Sequence, residues 1–318
     1  MYGIAGMIVR RIGQIVPVII VATFVVFSLV FLMPGDPAII IAGDYATPER
    51  IEEIRRLHGF DQPMIVQYFN WLWDVVRGNL GTSLYSSEEV SRLIVDRLPH
   101  TLLLVVYALI LGTVIGIPLG LYAATQEGTT ADKLITSFAS LGVAIPNFWL
   151  GIILVTYFSL TWRIFPATGA VSFWENPLEA IYYATLPAIA LSTGVVAVLA
   201  RQVRSALLEV LGSQYIRTLR AKGLGTTAVL WKHALRNVAA TMLTITGLQV
   251  NRLFSSAVIL EAVFAVPGVG SLISYSALNK DIPVVQGIAL VLVVYVIAIN
   301  LIVDVLNAIL DPRVAAST

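Results

Sequence analysis

The sequence has no cysteine, only three histidines, and charged side chains at 12% of its 318 positions. Without cysteine there can be no disulfide, no thiolate nucleophile and no Cys-based metal site. His58, His100 and His233 never meet the His-x-x-x-His spacing of a zinc-binding helix. A Gly-x-x-x-x-Gly-Lys-Ser/Thr run is absent, so the chain carries no phosphate cradle of that kind. Gly223-Leu-Gly225 and Gly268-Val-Gly270 lack a third glycine and read as turns. Gly-x-Ser-x-Gly nucleophile elbows are also missing, so an enzyme is not expected. A net charge of +1 argues against nucleic-acid binding, which needs a large basic excess. Soluble domains are about 25% charged; a chain with half of that and 58% hydrophobic residues belongs in a membrane.

What is present confirms the class. A spanning helix needs about 20 mostly apolar residues. Such windows run over Ile12–Met33, Leu98–Gln126, Leu134–Trp162, Ala180–Ala200, Thr241–Phe264 and Ile282–Val303, predicting six spans. The first window exceeds the roughly 7–15 residues of a signal-peptide core and no small-x-small cleavage site follows it, so it is expected to stay in the protein. The reading is an all-α membrane protein with a first helix at 1–33, an external segment at 34–97, a five-helix core at 98–311 and a tail at 312–318.

Charge placement predicts orientation. Segment 34–97 has six basic and ten acidic residues, whereas 201–236 has seven basic residues against Glu209 alone. Both termini and the 201–240 loop are therefore expected in the cytoplasm. In the outer segment, Thr47-Pro48-Glu49 reads as a helix start, with Ile51, Ile54 and Leu57 as its apolar stripe. A second helix over Ile65–Arg77 carries Tyr68, Phe69, Trp71 and Trp73, residues suited to the membrane interface.

The inner segment is the most unusual. Gly212 stops a helix, Ser213 caps the next and Gly223 ends it, leaving a short amphipathic helix between two turns. Ile216 and Leu219 share one face and Arg217 and Arg220 another; Thr226 or Thr227 is positioned to cap a third helix. Contact with anionic lipid would account for the charge alone. The order of residues goes further. Tyr215-Ile-Arg-Thr-Leu-Arg-Ala-Lys-Gly-Leu224 followed by His233-Ala-Leu-Arg-Asn237 resembles the cytoplasmic loop of permease subunits of bacterial ATP-binding-cassette (ABC) importers of the dipeptide/oligopeptide/nickel family. Pro34-Gly-Asp-Pro37, Asp61-Gln-Pro63, Arg97-Leu-Pro-His-Thr101, Gly116-Ile-Pro-Leu-Gly120, Pro146-Asn-Phe-Trp-Leu-Gly151, Pro267-Gly-Val-Gly270, Asp281-Ile-Pro-Val-Val-Gln-Gly287 and Asp311-Pro-Arg313 extend the match in order. Thr241 stands where the family often has proline.

The resemblance implies a type I ABC importer permease fold in the bacterial inner membrane. It implies a coupling helix whose Tyr215, Arg217, Thr218, Arg220, Ala221, Lys222 and Gly223 dock on an ATPase. The implied partners are a homologous second permease, two ATPase subunits that bind ATP and magnesium, and an external solute-binding protein, with no cofactor in this chain. Peptides or similar small solutes are the implied cargo.

Arg252 and Glu261 are costly at membrane depth and are candidates, with Asn251, for the translocation pathway. Nine residues apart, they lie on opposite helix faces and cannot pair. Arg252 is read either as facing the passage, toward a peptide carboxylate, or as bound to a neighbouring helix, subunit or carbonyl. Glu261 is read as a structural or gating group, and Pro118, Pro146 and Pro187 as kinks. An ion-gradient-driven transporter is the competing reading; it predicts several intramembrane carboxylates or repeated broken helices, and only Glu261 is evident.

Overall fold

The computed structural model describes residues 4–32, 36–43, 46–57 and 59–310. Pro34-Gly35, His58 and Asp311-Pro312-Arg313 lie outside them. The order of helices is α1 Ile4–Leu32, α2 Pro37–Ala42, α3 Pro48–Leu57, α4 Met64–Val76, α5 Val90–Thr125, α6 Thr130–Ala144, α7 Asn147–Leu154, α8 Pro177–Leu211, α9 Gln214–Ala221, α10 Thr226–Ala228, α11 Leu235–Val263, α12 Val269–Leu278 and α13 Ile282–Leu310. Among the described residues four stretches are long and apolar enough to cross a membrane: Val90–Thr125, Pro177–Leu211, Thr226–Val263 and Ile282–Asn307. A fifth arises if α6 and the helix after it count as one bent span, and the described side chains of α1 add a shorter apolar stretch, Gly13–Ser28.

The chain forms two compact units. One contains Pro99–Ser271 and the chain from Ala298 onward. Its central helix is α8, whose first turn is capped by Asn176 accepting from the Glu179 amide at 3.2 Å, and which packs against α6, α7 and α11. Gly112, Gly116 and Gly120 of α5 recur every fourth residue and lie on α8. A Cβ on Gly120 would stand 2.5 Å from the Ala200 carbonyl oxygen, so only glycine permits this approach. The predicted third span is not one rod. Ile145 is pushed into an extended conformation (φ −77°, ψ 123°) because it precedes Pro146, and the two halves meet at 96°. The second half continues α7 through a π-helical segment, Val155–Thr161. By contrast, Pro118 and Pro187 lie inside continuous helices.

The cytoplasmic-loop reading also needs one correction. Thr226 and Thr227 do not cap a separate third helix: Gly225 is the N-cap, without a side-chain bond. From there helix runs unbroken through α10, a π segment at Val229–Ala234 and α11. At its far side α11 meets α13, where Asn251 donates to Asn300 at 3.2 Å and Asn307 to Thr244 at 2.9 Å.

The other unit contains Arg10–Leu98 and Leu272–Ile297. Thr47 accepts from the Arg50 amide at 3.4 Å and starts α3 as expected; Gly59, at φ +65°, allows the turn toward α4. Tyr68 of α4 is buried against Phe24 and Phe27 of α1, its hydroxyl 3.0 Å from that of Thr23. Trp71 also stacks on Phe27, while Phe69 and Trp73 remain exposed. Asp281 ties the loop after α4, accepting from the Ser83 hydroxyl and from the Leu84 amide at 3.0 Å.

Candidate functional site

Three places gather the residues singled out above. The first is α9. Ser213 accepts from the Ile216 amide at 3.4 Å, and Gly223 closes the helix at φ +83°, a left-handed geometry suited to glycine. Ile216 is fully buried in an apolar cluster with Val203 and Leu207 of α8, Val229 and Ala234 of the π segment, and Val238 of α11. Leu219 packs on the same cluster. Tyr215, Arg217, Thr218, Arg220, Ala221, Lys222 and Gly223 are all exposed. Tyr215 nevertheless is held in place, its hydroxyl 2.9 Å from Nδ1 of His233. The outcome is a short helix with a fixed base and a free basic face.

Close to the base is a pair that sequence reading missed. Arg204 of α8 makes a two-pronged ion pair with Asp132 in the first turn of α6, one arm at 2.7 Å. Asp132 also accepts from the Gly128 amide at 3.0 Å. Two parallel N–H···O bonds fix direction as well as distance, so the start of α6 is tied to the end of α8. The residues are 72 positions apart and carry no local signature.

The second place is Glu261. Its carboxylate accepts from the Thr101 hydroxyl at 2.6 Å and from the Ser271 amide at 2.8 Å. Thr101 in turn accepts from the Val269 amide at 2.9 Å. A Cβ on Gly268 would lie 2.3 Å from the carboxylate, so the Pro267-Gly-Val-Gly270 turn wraps this one side chain. Glu261 is fully buried and spends its hydrogen bonds within the protein.

The third place is around Arg252. It lines a cavity of about 170 Å³ with Gln249 and Ser256 of α11, Asn147 of α7, and Gly142 and Gly194. The cavity does not include Asn251 or Glu261, so the three residues expected on one pathway occupy three different settings. Asn147 is there because the Ile145–Pro146 break starts a new helix at that point, a consequence of the proline's effect that the sequence alone did not locate.

Comparison with known proteins agrees with this architecture. Residues 116–316 match the family described as binding-protein-dependent transport system inner membrane component, and residues 4–105 match its N-terminal membrane-component counterpart. A protein of Brucella abortus (strain 2308) described as a peptide transport system permease is 42% identical over 309 residues, 97% of this chain and 98% of that protein. The dipeptide transport system permease protein DppB of Escherichia coli (strain K12) is 38% identical over 331 residues, 96% of this chain and 98% of its own length. A chain from an inward-facing crystal form of the MetNI methionine ABC transporter has the same fold, with a TM-score of 0.58 at 19% identity, covering 69% of this chain and 96% of that one. Motif order, helical architecture and full-length similarity converge: the chain belongs to the family of binding-protein-dependent transport system inner membrane components.

Proposed function

We propose that the chain is the permease subunit of an ATP-driven importer that carries peptides, or small solutes like them, across the bacterial inner membrane. It crosses the membrane six times with both termini in the cytoplasm and leaves ATP and magnesium to two partner ATPases. A homologous second permease completes the pore, and an external binding protein delivers the solute toward segment 34–97. Glu261 holds the outer turn after α11 in shape. The reading is supported by relatives described as peptide and dipeptide permeases over nearly the whole chain.

The observation that carries the mechanism is the two-sidedness of α9. Its apolar face is locked to α8 and α11 through Ile216, while its basic face is left exposed by the described residues. A displacement applied to Arg217, Arg220 and Lys222 by an ATPase therefore reaches two long helices through a packed contact. A close-packed interface passes on motion because it cannot deform continuously.

Purification and reconstitution test this. The chain should co-elute with two ATPase subunits, and peptide uptake into liposomes should require ATP. Uptake by this chain alone, driven by an ion gradient, would refute the proposal. Ala221→Trp and Gly223→Trp should keep ATP hydrolysis while lowering uptake by about tenfold or more, since tenfold needs only about 1.4 kcal/mol of lost coupling. Unchanged uptake in both variants would remove α9 from the coupling path.

A further inference from the structure

The cavity at Arg252 has a chemical character that the family assignment does not specify. Arg252 is the one charged residue among those lining it. Among the described residues no carboxylate pairs with it, although an arginine within a span is costly unless a counter-charge or carbonyl meets it. Gln249, Arg252 and Ser256 recur on one face of α11, one turn apart. Gln249 is 4% exposed, and its amide has only a long 3.5 Å bond to the Ile245 carbonyl oxygen of its own helix. Across the cavity, α7 begins at Asn147, and the N-cap residue Pro146 offers no side-chain acceptor to the first amide groups. The start of a broken helix beside a cavity favours negative charge nearby, because its first N–H groups lack helical acceptors and the dipole is positive at that end. Gly194 supplies no side chain on the side facing Asn147, where a Cβ would stand 3.7 Å from its Oδ1.

Resting on the importer reading above, we propose that Arg252, Gln249 and Asn147, with the start of α7, form a carboxylate subsite on the solute path that holds the C-terminal carboxylate of a peptide in transit. An anionic lipid headgroup is the other source of such a charge. Arg252 falls near the middle of Thr241–Phe264, about 16–18 Å of helix from either end at about 1.5 Å per residue, which is beyond headgroup depth. A small cavity in which four polar side chains stand among apolar ones, with Arg252 itself exposed, also suits transit: it would bind the charge through neutral amides and one cation, without the surrounding contacts of a tight site.

The absence of native cysteine in this chain makes the test direct. In the assembled transporter, Ser256→Cys supplies one thiol at the cavity wall. Its alkylation by a maleimide should be slowed by Ala-Ala and much less by Ala-Ala amide, which lacks the carboxylate. In parallel, uptake of the two peptides is compared at saturating binding protein. The wild type should favour the acid by about tenfold to a hundredfold, the range expected for hydrogen bonds to a charged group. Arg252→Gln should bring the acid-to-amide ratio close to one and abolish the differential protection, while Arg252→Lys should retain part of both. Equal protection by acid and amide, or an unchanged ratio in Arg252→Gln, would overturn the subsite. So would a loss of co-purifying subunits in Arg252→Gln with the ratio intact, since Arg252 would then be paired with an acid of a neighbouring chain. Failure of the wild type to take up any peptide counts against the importer reading; wild-type uptake with an unaltered ratio counts against the subsite alone.

Discussion

Glu261 shows how a single buried side chain organises a turn. It accepts from Thr101 and Ser271, and Thr101 passes the constraint on to Val269. Glu261→Ala should destabilise the purified complex by about 2–4 kcal/mol, because two donors lose a charged or polar acceptor and a void is left. Glu261→Gln keeps one accepting oxygen and should cost less; thermal unfolding in detergent of the two variants checks the order. Equal costs would mean that side-chain volume contributes nothing and that the turn needs both carboxylate oxygens as acceptors; a Gln variant as stable as the wild type would mean that packing alone holds it. The sequence marked Glu261 as anomalous because an acid stands in an apolar run. Its partners were not legible, since Thr101 lies 160 residues away. Arg252 was conspicuous for the same reason, and again its surroundings came from elsewhere in the chain.

At the scale of elements, α9 and the α5–α8 contact make different demands. For α9, the period of Ile216 and Leu219 against Arg217 and Arg220 is local, so both the helix and its two faces could be read directly. Ile216→Ala should release the helix from its base, at a cost of about 2–5 kcal/mol for a filled core position. Faster amide hydrogen exchange across 214–221, with α8 unchanged, is the expected signature. For α5, Gly116 and Gly120 entered the sequence reading only as part of a motif, and the contact of Gly112, Gly116 and Gly120 with α8 emerged from packing. Gly116→Leu should separate α5 from α8, because a Cβ already stands 2.9 Å from the Leu199 Cβ. Overpacking of this kind costs about 1–3 kcal/mol or more, and a lower unfolding temperature with loss of monodispersity would show it. The third span illustrates the opposite limit. Its apolar run was correctly located, yet Pro146 turns it through 96°, because hydrophobicity does not encode direction.

For the whole molecule, charge is the guide. The contrast between six basic and ten acidic residues in 34–97 and seven basic residues with Glu209 in 201–236 is the ground for proposing that these two segments lie on opposite sides of the membrane. With single thiols introduced into a cysteine-free chain, Ser86→Cys should react with an impermeant maleimide in spheroplasts, and Thr227→Cys only after permeabilisation. The reverse pattern would invert the orientation. Length, apolar content, absence of nucleotide and metal motifs, and placement of charge are properties of composition and order, so the sequence by itself determined a helical membrane protein with a basic loop and a two-faced helix within it. Tertiary structure alone decided which helices touch, where Asp132 finds Arg204, and that Arg252 opens onto a cavity beside a broken helix. The physical reason is the range of the forces. Helix periodicity and capping act over a few residues and are written locally, whereas packing and ion pairing join residues far apart in the chain and exist only once the helices have assembled.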